Sequence, residues 1–398
     1  MAYSKITTPR IYVDYGNWMK NMGHSFDDSS MIMKLSNSNT SWTTSYPSTY
    51  DLQLINNFYD KKIVPTSVET INQAIENNTG AAEPIWQYWF YKFGHHHYNI
   101  NSLIIPNHNF GNTGYVIKIR LINEDYDELF GGAYTDEMQN YFDIGDSFKV
   151  YNANQMDNTM NFDVLSNNKP IVMTWDSLSN INNSENYGGF VVLIEIPYDS
   201  YFTGVGTGEQ PIFTPDDIVS TQISGSSFCS YYDFPHGAEF SINHNYLFDG
   251  IDQKTTIGGR TLTNMRYSGK PNNPFAYRKE DGQEADRNIT RSGRKSWDLN
   301  FTYLDDTNML PKHSNSWEDI MNLGYAVQVG EPDDYEPSDN FVSNVLNRTI
   351  GKHLPFVFQP DNTDFDDLYI CRFDQDDFNL EEVAPGTFNI SLKIVETW

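Results

Sequence analysis

Residues 291–310 read RSGRKSWDLNFTYLDDTNML, with Trp297, Leu299, Phe301 and Tyr303 alternating with Ser296, Asp298, Asn300 and Thr302. Strand side chains point to opposite faces in turn, so this spacing predicts a half-buried β-strand with its four apolar residues on one face. Such a face has to be covered, and the neighbouring sequence supplies the cover. Three more strands are expected over residues 354–358, 368–373 and 388–394, the last with Phe388, Ile390, Leu392 and Ile394 together. Upstream, residues 240–248 read as a strand, and DGIDQKTTIGGRTLTNMRYSG reads as a hairpin turning at TIGGR.

The first half is patterned in the same way. Leu103 to Ile105 form a short apolar run, and Tyr115, Ile117, Ile119 and Leu121 alternate with Val116, Lys118 and Arg120. The Gly/Asn-rich segment between them predicts that the two strands form a hairpin. Residues 170–175 and 190–194 are further strand candidates. The opening IYVDYGNWMKNMG reads as a short strand and a polar connection, and residues 25–49 as loop and edge strand. Helical spacing is confined to residues 67–78, through Val68, Ile71 and Ile75, and to a short segment at 341–347. With few helices between strands, antiparallel pairing is expected over βαβ units. The predicted class is mainly β.

A chain of 398 residues exceeds what one hydrophobic core usually supports. The Gly-rich connection at 203–214 suggests a division into residues 1–215 and 216–398.

Charge excludes some functions. With 26 Lys plus Arg against 53 acids, the net charge of −27 leaves no basic face for phosphate neutralisation, so neither nucleic acid nor an anionic membrane is an expected partner. No window approaches 18 uninterrupted apolar residues, and no basic segment followed by an apolar run opens the chain. The corresponding expectation is a protein made and kept in cytoplasm, or released by lysis rather than by secretion. Cys229 and Cys371 lie in no CxxC or nucleophile signature and read as core residues.

SLIIPNHNFGNTGYVIKIRL resembles the strand-turn-strand unit of jelly-roll, galactose-binding-like sandwiches in phage virion proteins. SYYDFPHGAEFSINHNYLFDGIDQKTTIGGRTLTNMRYSGKP, RSGRKSWDLNFTYLDDTNML and the closing LPFVFQP to TFNISLKIVETW stretch resemble tail-associated or minor structural proteins of tailed bacteriophages. The resemblance covers about the last 180 residues and a shorter part of the first half. It implies an N-terminal jelly-roll-like β-sandwich and a C-terminal tail-type β domain. The implied role is non-enzymatic assembly near the tail tip, hub or baseplate, with copies of itself and other virion proteins as partners. No catalytic residue is carried over.

Several constellations bear on chemistry. His95, His96 and His97 with His108 form the one dense histidine cluster, but alternating strand faces bring at most two of the three consecutive imidazoles together, so no metal site is assigned. Asn107, His108 and Asn109 fit a turn, and the alternative is a host-glycan site beside Trp86, Trp89 or Tyr91. Acidic groups at 333–339, 361–367 and 374–377 fit solvated loops, with calcium as the alternative, although none has the EF-hand spacing. GxSxG, SxxK and GK[ST] signatures are missing, and no cofactor is expected. Arg291, Arg294 and Lys295 make a local basic patch that either pairs within the chain or meets a neighbour's acidic loop. Trp398, closing the last strand, is a further contact candidate.

Overall fold

The computed structural model describes residues 7–21, 31–37, 44–49, 64–65, 85–92, 100–105, 108, 116–123, 148–151, 153–155, 161–164, 169–175, 187–196, 222–223, 227–239, 243–248, 251–265, 293–310 and 340–397. The protein is mainly β, with antiparallel sheets and, among the described residues, few helices. It divides into two compact units, one of residues 1–14, 231–314 and 338–398, the other of residues 15–230 and 315–337.

The described residues of the first unit include the strands β1 (Arg10–Asp14), β2 (Asn243–Leu247), β3 (Ile251–Thr255), β4 (Thr261–Met265), β5 (Arg294–Asp305), β6 (Phe356–Gln359), β7 (Tyr369–Phe373), β8 (Leu380–Ala384) and β9 (Thr387–Glu396). These strands supply the part of a sheet that runs β2-β5-β9-β7-β6-β1, with β8 also paired to β9. The register sets Trp297 opposite Ile394, Leu299 opposite Leu392 and Phe301 opposite Ile390, so the two alternating patterns bury one shared face. Phe234 stacks on Phe301 at 4.1 Å between ring centroids, and Trp297 lies 5.0 Å from the ring of Tyr369 and 5.3 Å from that of Phe358. Val345, on the π-helical segment Val342–Asn347, joins this core, and the Asn340 side chain accepts from Ser343 N at 2.8 Å.

Two departures from the alternation have clear causes. Tyr303, expected beside Phe301 in the core, is 77% exposed, while Leu304 is buried. Between the Phe301–Ile390 and Leu304–Phe388 pairs, β5 carries one residue more than β9, and this bulge reverses the faces. Tyr303 takes φ of 59°, with its backbone N–H held by Asn389 Oδ1 at 3.1 Å. The second departure is β8, which the sequence reading missed. It forms a hairpin with β9 through Gly386, whose φ of 70° suits glycine.

Farther along the sheet, β1 pairs with β6 through Arg10–Gln359, Ile11–Phe358, Tyr12–Val357 and Val13–Phe356. The opening strand therefore joins the closing segments, more than 340 residues away in sequence. Arg10 fastens it further. Its guanidinium makes two bonds to the Asp233 carboxylate at 2.6 and 2.7 Å and sits 4.2 Å from the Tyr231 ring centroid, while the Tyr12 hydroxyl donates to Gln359 Oε1 at 2.8 Å.

In the second unit, Ser102–Ile105 and Ile171–Trp175 are buried along their whole length and pair with each other. A separate seven-stranded sheet includes Ile85–Lys92, Val116–Asn123 and Tyr187–Ile196, with Thr44–Thr49 at one end. The expected hairpin between residues 103–105 and 115–121 is therefore corrected. Its two arms belong to different sheets, each satisfied by a partner distant in sequence. The polar connection expected after the opening strand is instead a helix, α1 (Tyr15–Asn21), where Tyr15 and Trp18 are buried against each other at 5.2 Å. The helix expected at 67–78 lies outside the described residues. Cys229 and Cys371 are buried and stand outside any disulfide.

Candidate interaction surface

His108 is fully buried and its Nε2 lies 2.9 Å from the Lys169 carbonyl oxygen. Burial disfavours the charged ring and pulls its pKa down to about 4, against which the carbonyl contact acts only partly. A neutral imidazole donating to Lys169 is a tie within the fold, and it is closed to a sugar at the surface. Trp86 and Trp89 lie on the strand Ile85–Lys92, opposite Glu195 and Val192 in the register. Asn107, Asn109 and His95 to His97 lie outside the described residues, as do Arg291, the acidic group at 333–339 and Trp398.

The described part of the basic patch is engaged within the chain. The Lys295 ammonium meets the Tyr369 hydroxyl and lies 4.3 Å from that ring's centroid, and the Lys295 backbone N–H donates to Glu396 Oε2 at 3.1 Å. Burial is the main cause of the raised Tyr369 pKa, with hydrogen bonding to Asp367 adding to it. The ammonium thus meets a neutral phenol. Lys295 ties β5 to β7 and to the end of β9.

The acidic groups at 361–367 and 374–377 are also accounted for locally. Asp361 accepts from Thr363 N at 3.0 Å and Asp364 from Asp366 N at 3.0 Å, as turn carboxylates do. Asp374 pairs with Lys393 at 2.7 Å, and Asp376 pairs with Lys352. Among the described residues, no group of three or more His, Cys, Asp and Glu side chains is placed to hold a metal ion. No described helix is long and apolar enough to cross a membrane.

The surface that stands out is one the sequence reading took only as a hairpin. β3 and β4 pair with each other from Ile251–Met265 to Thr255–Thr261, in a two-stranded sheet of their own. The turn closes through Gly259 N to Thr256 O and Thr256 N to Arg260 O, each at 2.8 Å, with Gly259 at φ of 79°. Ile257 at the tip is 110% exposed and Leu262 is 54% exposed. A two-stranded hairpin has little stability of its own, and these apolar groups contribute nothing to a core. At the base, Phe248 lies over Gly293, where a Cβ would stand 3.1 Å from its ring and 2.9 Å from the Leu247 carbonyl oxygen. Tyr246 on β2 is exposed beside it.

A second exposed apolar area lies where β5, β9 and β8 meet. Tyr303 flanks the Phe388–Asn389 part of β9 from one side, and Val383, 43% exposed, flanks it from the other next to exposed Glu381 and Glu382. The alternation around Trp297 gave no sign of it, because a bulge has no marker of its own in the sequence unless a glycine stands there. Compared with protein-family models, curated proteins and solved structures, the chain matches none.

Proposed function

We propose that this chain is a non-enzymatic structural subunit of a tailed-bacteriophage virion, associated with the tail at its tip, hub or baseplate. It works through contacts with copies of itself and with other virion structural proteins. The observation that carries the reading is the β3–β4 hairpin, a two-stranded sheet of its own whose apolar tip is fully in solvent. Exposed apolar groups on an ordered arm are a cost in a solitary protein and an asset in an assembly. The resemblance of residues from about 220 onward to tail proteins supports the same reading. So does the strongly acidic composition, which suits a surface kept off nucleic acid. A jelly-roll-like sandwich within the first half belongs to this proposal, supported by the fully buried antiparallel strands Ser102–Ile105 and Ile171–Trp175.

The test is size exclusion with light scattering, followed by negative-stain imaging of the same peak, over rising protein concentration with and without millimolar calcium. Rings or discrete symmetric multimers are expected. A strict monomer throughout contradicts self-assembly.

A further inference from the structure

We infer that the β3–β4 arm of one copy docks on the Tyr303–Val383 surface of the next copy, a head-to-tail contact between two different patches of the same chain. This rests on the assembly reading above and names the two surfaces that meet. The two patches are complementary in both chemistry and sign. The arm carries Ile257 and Leu262 with exposed Lys254 and Arg260, and neither cation forms an ion pair among the described residues. In a chain of net charge −27 this is a local reversal. The receiving surface pairs an exposed aromatic ring and Val383 with Glu381, which is exposed on β8 opposite Asn389.

Within one copy the apolar groups of both patches stand in solvent. Ile257 is 110% exposed, and Tyr303 keeps 77% of its surface in water. The occupant is therefore a second molecule, and the opposite charges point to a second copy, because the rest of the chain's surface repels itself. A contact between two unlike patches does not close on itself as a two-fold dimer. It propagates into a ring where the rotation closes and into a filament where it does not. A single arm covers less than the area of a typical stable interface, roughly 1,200–2,000 Å² in total, so the isolated contact is weak and strengthens when a ring closes.

The experiment is sedimentation velocity at low ionic strength over rising concentration, with wild type and two charge-reversed proteins. One carries Lys254→Glu with Arg260→Glu, the other Glu381→Lys. Each reversed protein alone is expected to stay at the single-copy mass of 45.8 kDa, at concentrations where wild type is larger. Their equal mixture recovers the wild-type distribution, because each reversed patch now meets an opposite one. Ile257→Ser, at a side chain that stands in solvent in its own copy, lowers association at least about tenfold without a change in melting temperature, and so reports on the contact even if a reversed protein folds poorly. Wild-type multimers that persist in the reversed proteins and in Ile257→Ser overturn this contact while leaving assembly by other surfaces standing. A wild type that is monomeric at every concentration overturns both.

Discussion

Two antiparallel strand pairs in the same unit show what strand pairing alone does and does not provide. β5 and β9 are joined from Ser296–Val395 to Asp305–Thr387, and β3 and β4 from Ile251–Met265 to Thr255–Thr261. Both have backbone ladders, but only the first has a covered face. Trp297, Leu299, Phe301, Ile390, Leu392 and Ile394 are each 2% exposed or less, whereas the tip residue of the second pair is wholly in water. Stability is stored in the first pair and contact capacity is held out on the second.

The sharpest way to break this comparison is truncation at matched positions. Trp297→Ala, which empties a site lined by Phe358 and Tyr369, is expected to cost about 3–5 kcal/mol in denaturant unfolding. Ile257→Ala should stay within about 0.5 kcal/mol of wild type. Comparable losses at the two sites would mean that the arm belongs to the core.

Acid provides the next largest effect, in the other unit. The His108 pKa is depressed when folded, to about 4 from an ordinary 6.5. The unfolded chain therefore binds the proton more readily between those values. The stability from the buried neutral ring is complete above pH 6.5 and is lost as the pH falls toward 4, up to about 3 kcal/mol in all. Urea midpoints measured from pH 7.5 to 4 should fall more steeply in wild type than in His108→Gln; parallel curves would rule this out.

A smaller change tests the staple on the opening strand. Asp233→Ala leaves the partly buried Arg10 guanidinium without its two carboxylate bonds, with an expected loss of about 1–3 kcal/mol read by thermal melting. Since Arg10 keeps its ring contacts with Tyr231 and Tyr12, the loss should stay below that of Trp297→Ala. The smallest effect has the opposite sign. Tyr303 has a left-handed φ and an exposed ring, so Tyr303→Gly is expected to raise stability by up to about 1 kcal/mol while weakening association. A drop in stability would mean that the ring is packed.

What was legible in the sequence follows the range of the interactions. Trp297, Leu299 and Phe301 could be read as one buried face because the strand period is local, and TIGGR as a turn because a few residues determine it. Tyr303 was misread because a single extra residue opposite β9 reverses the faces, and its own residue type gives no warning. The pairing of β1 with β6, and the separation of residues 102–105 from 116–123 into different sheets, depend on partners far away in the chain, which no local pattern encodes. The candidate site was less legible for the same reason. Lys295 looked available until Tyr369 was found against it, and His108 looked like a surface turn residue until burial placed it beneath Lys169. The exposure of Ile257 was not legible either, since an apolar tip residue reads alike whether or not something covers it.

The most direct test of the division of labour between core pair and arm is hydrogen–deuterium exchange on the intact protein, dilute and concentrated. Amides of β5 and β9 should be protected in both samples. Those of β3 and β4 should exchange quickly when dilute and slow markedly when concentrated, as arms find partners. Arm exchange that is unchanged by concentration in a sample that light scattering shows to be multimeric would contradict the account.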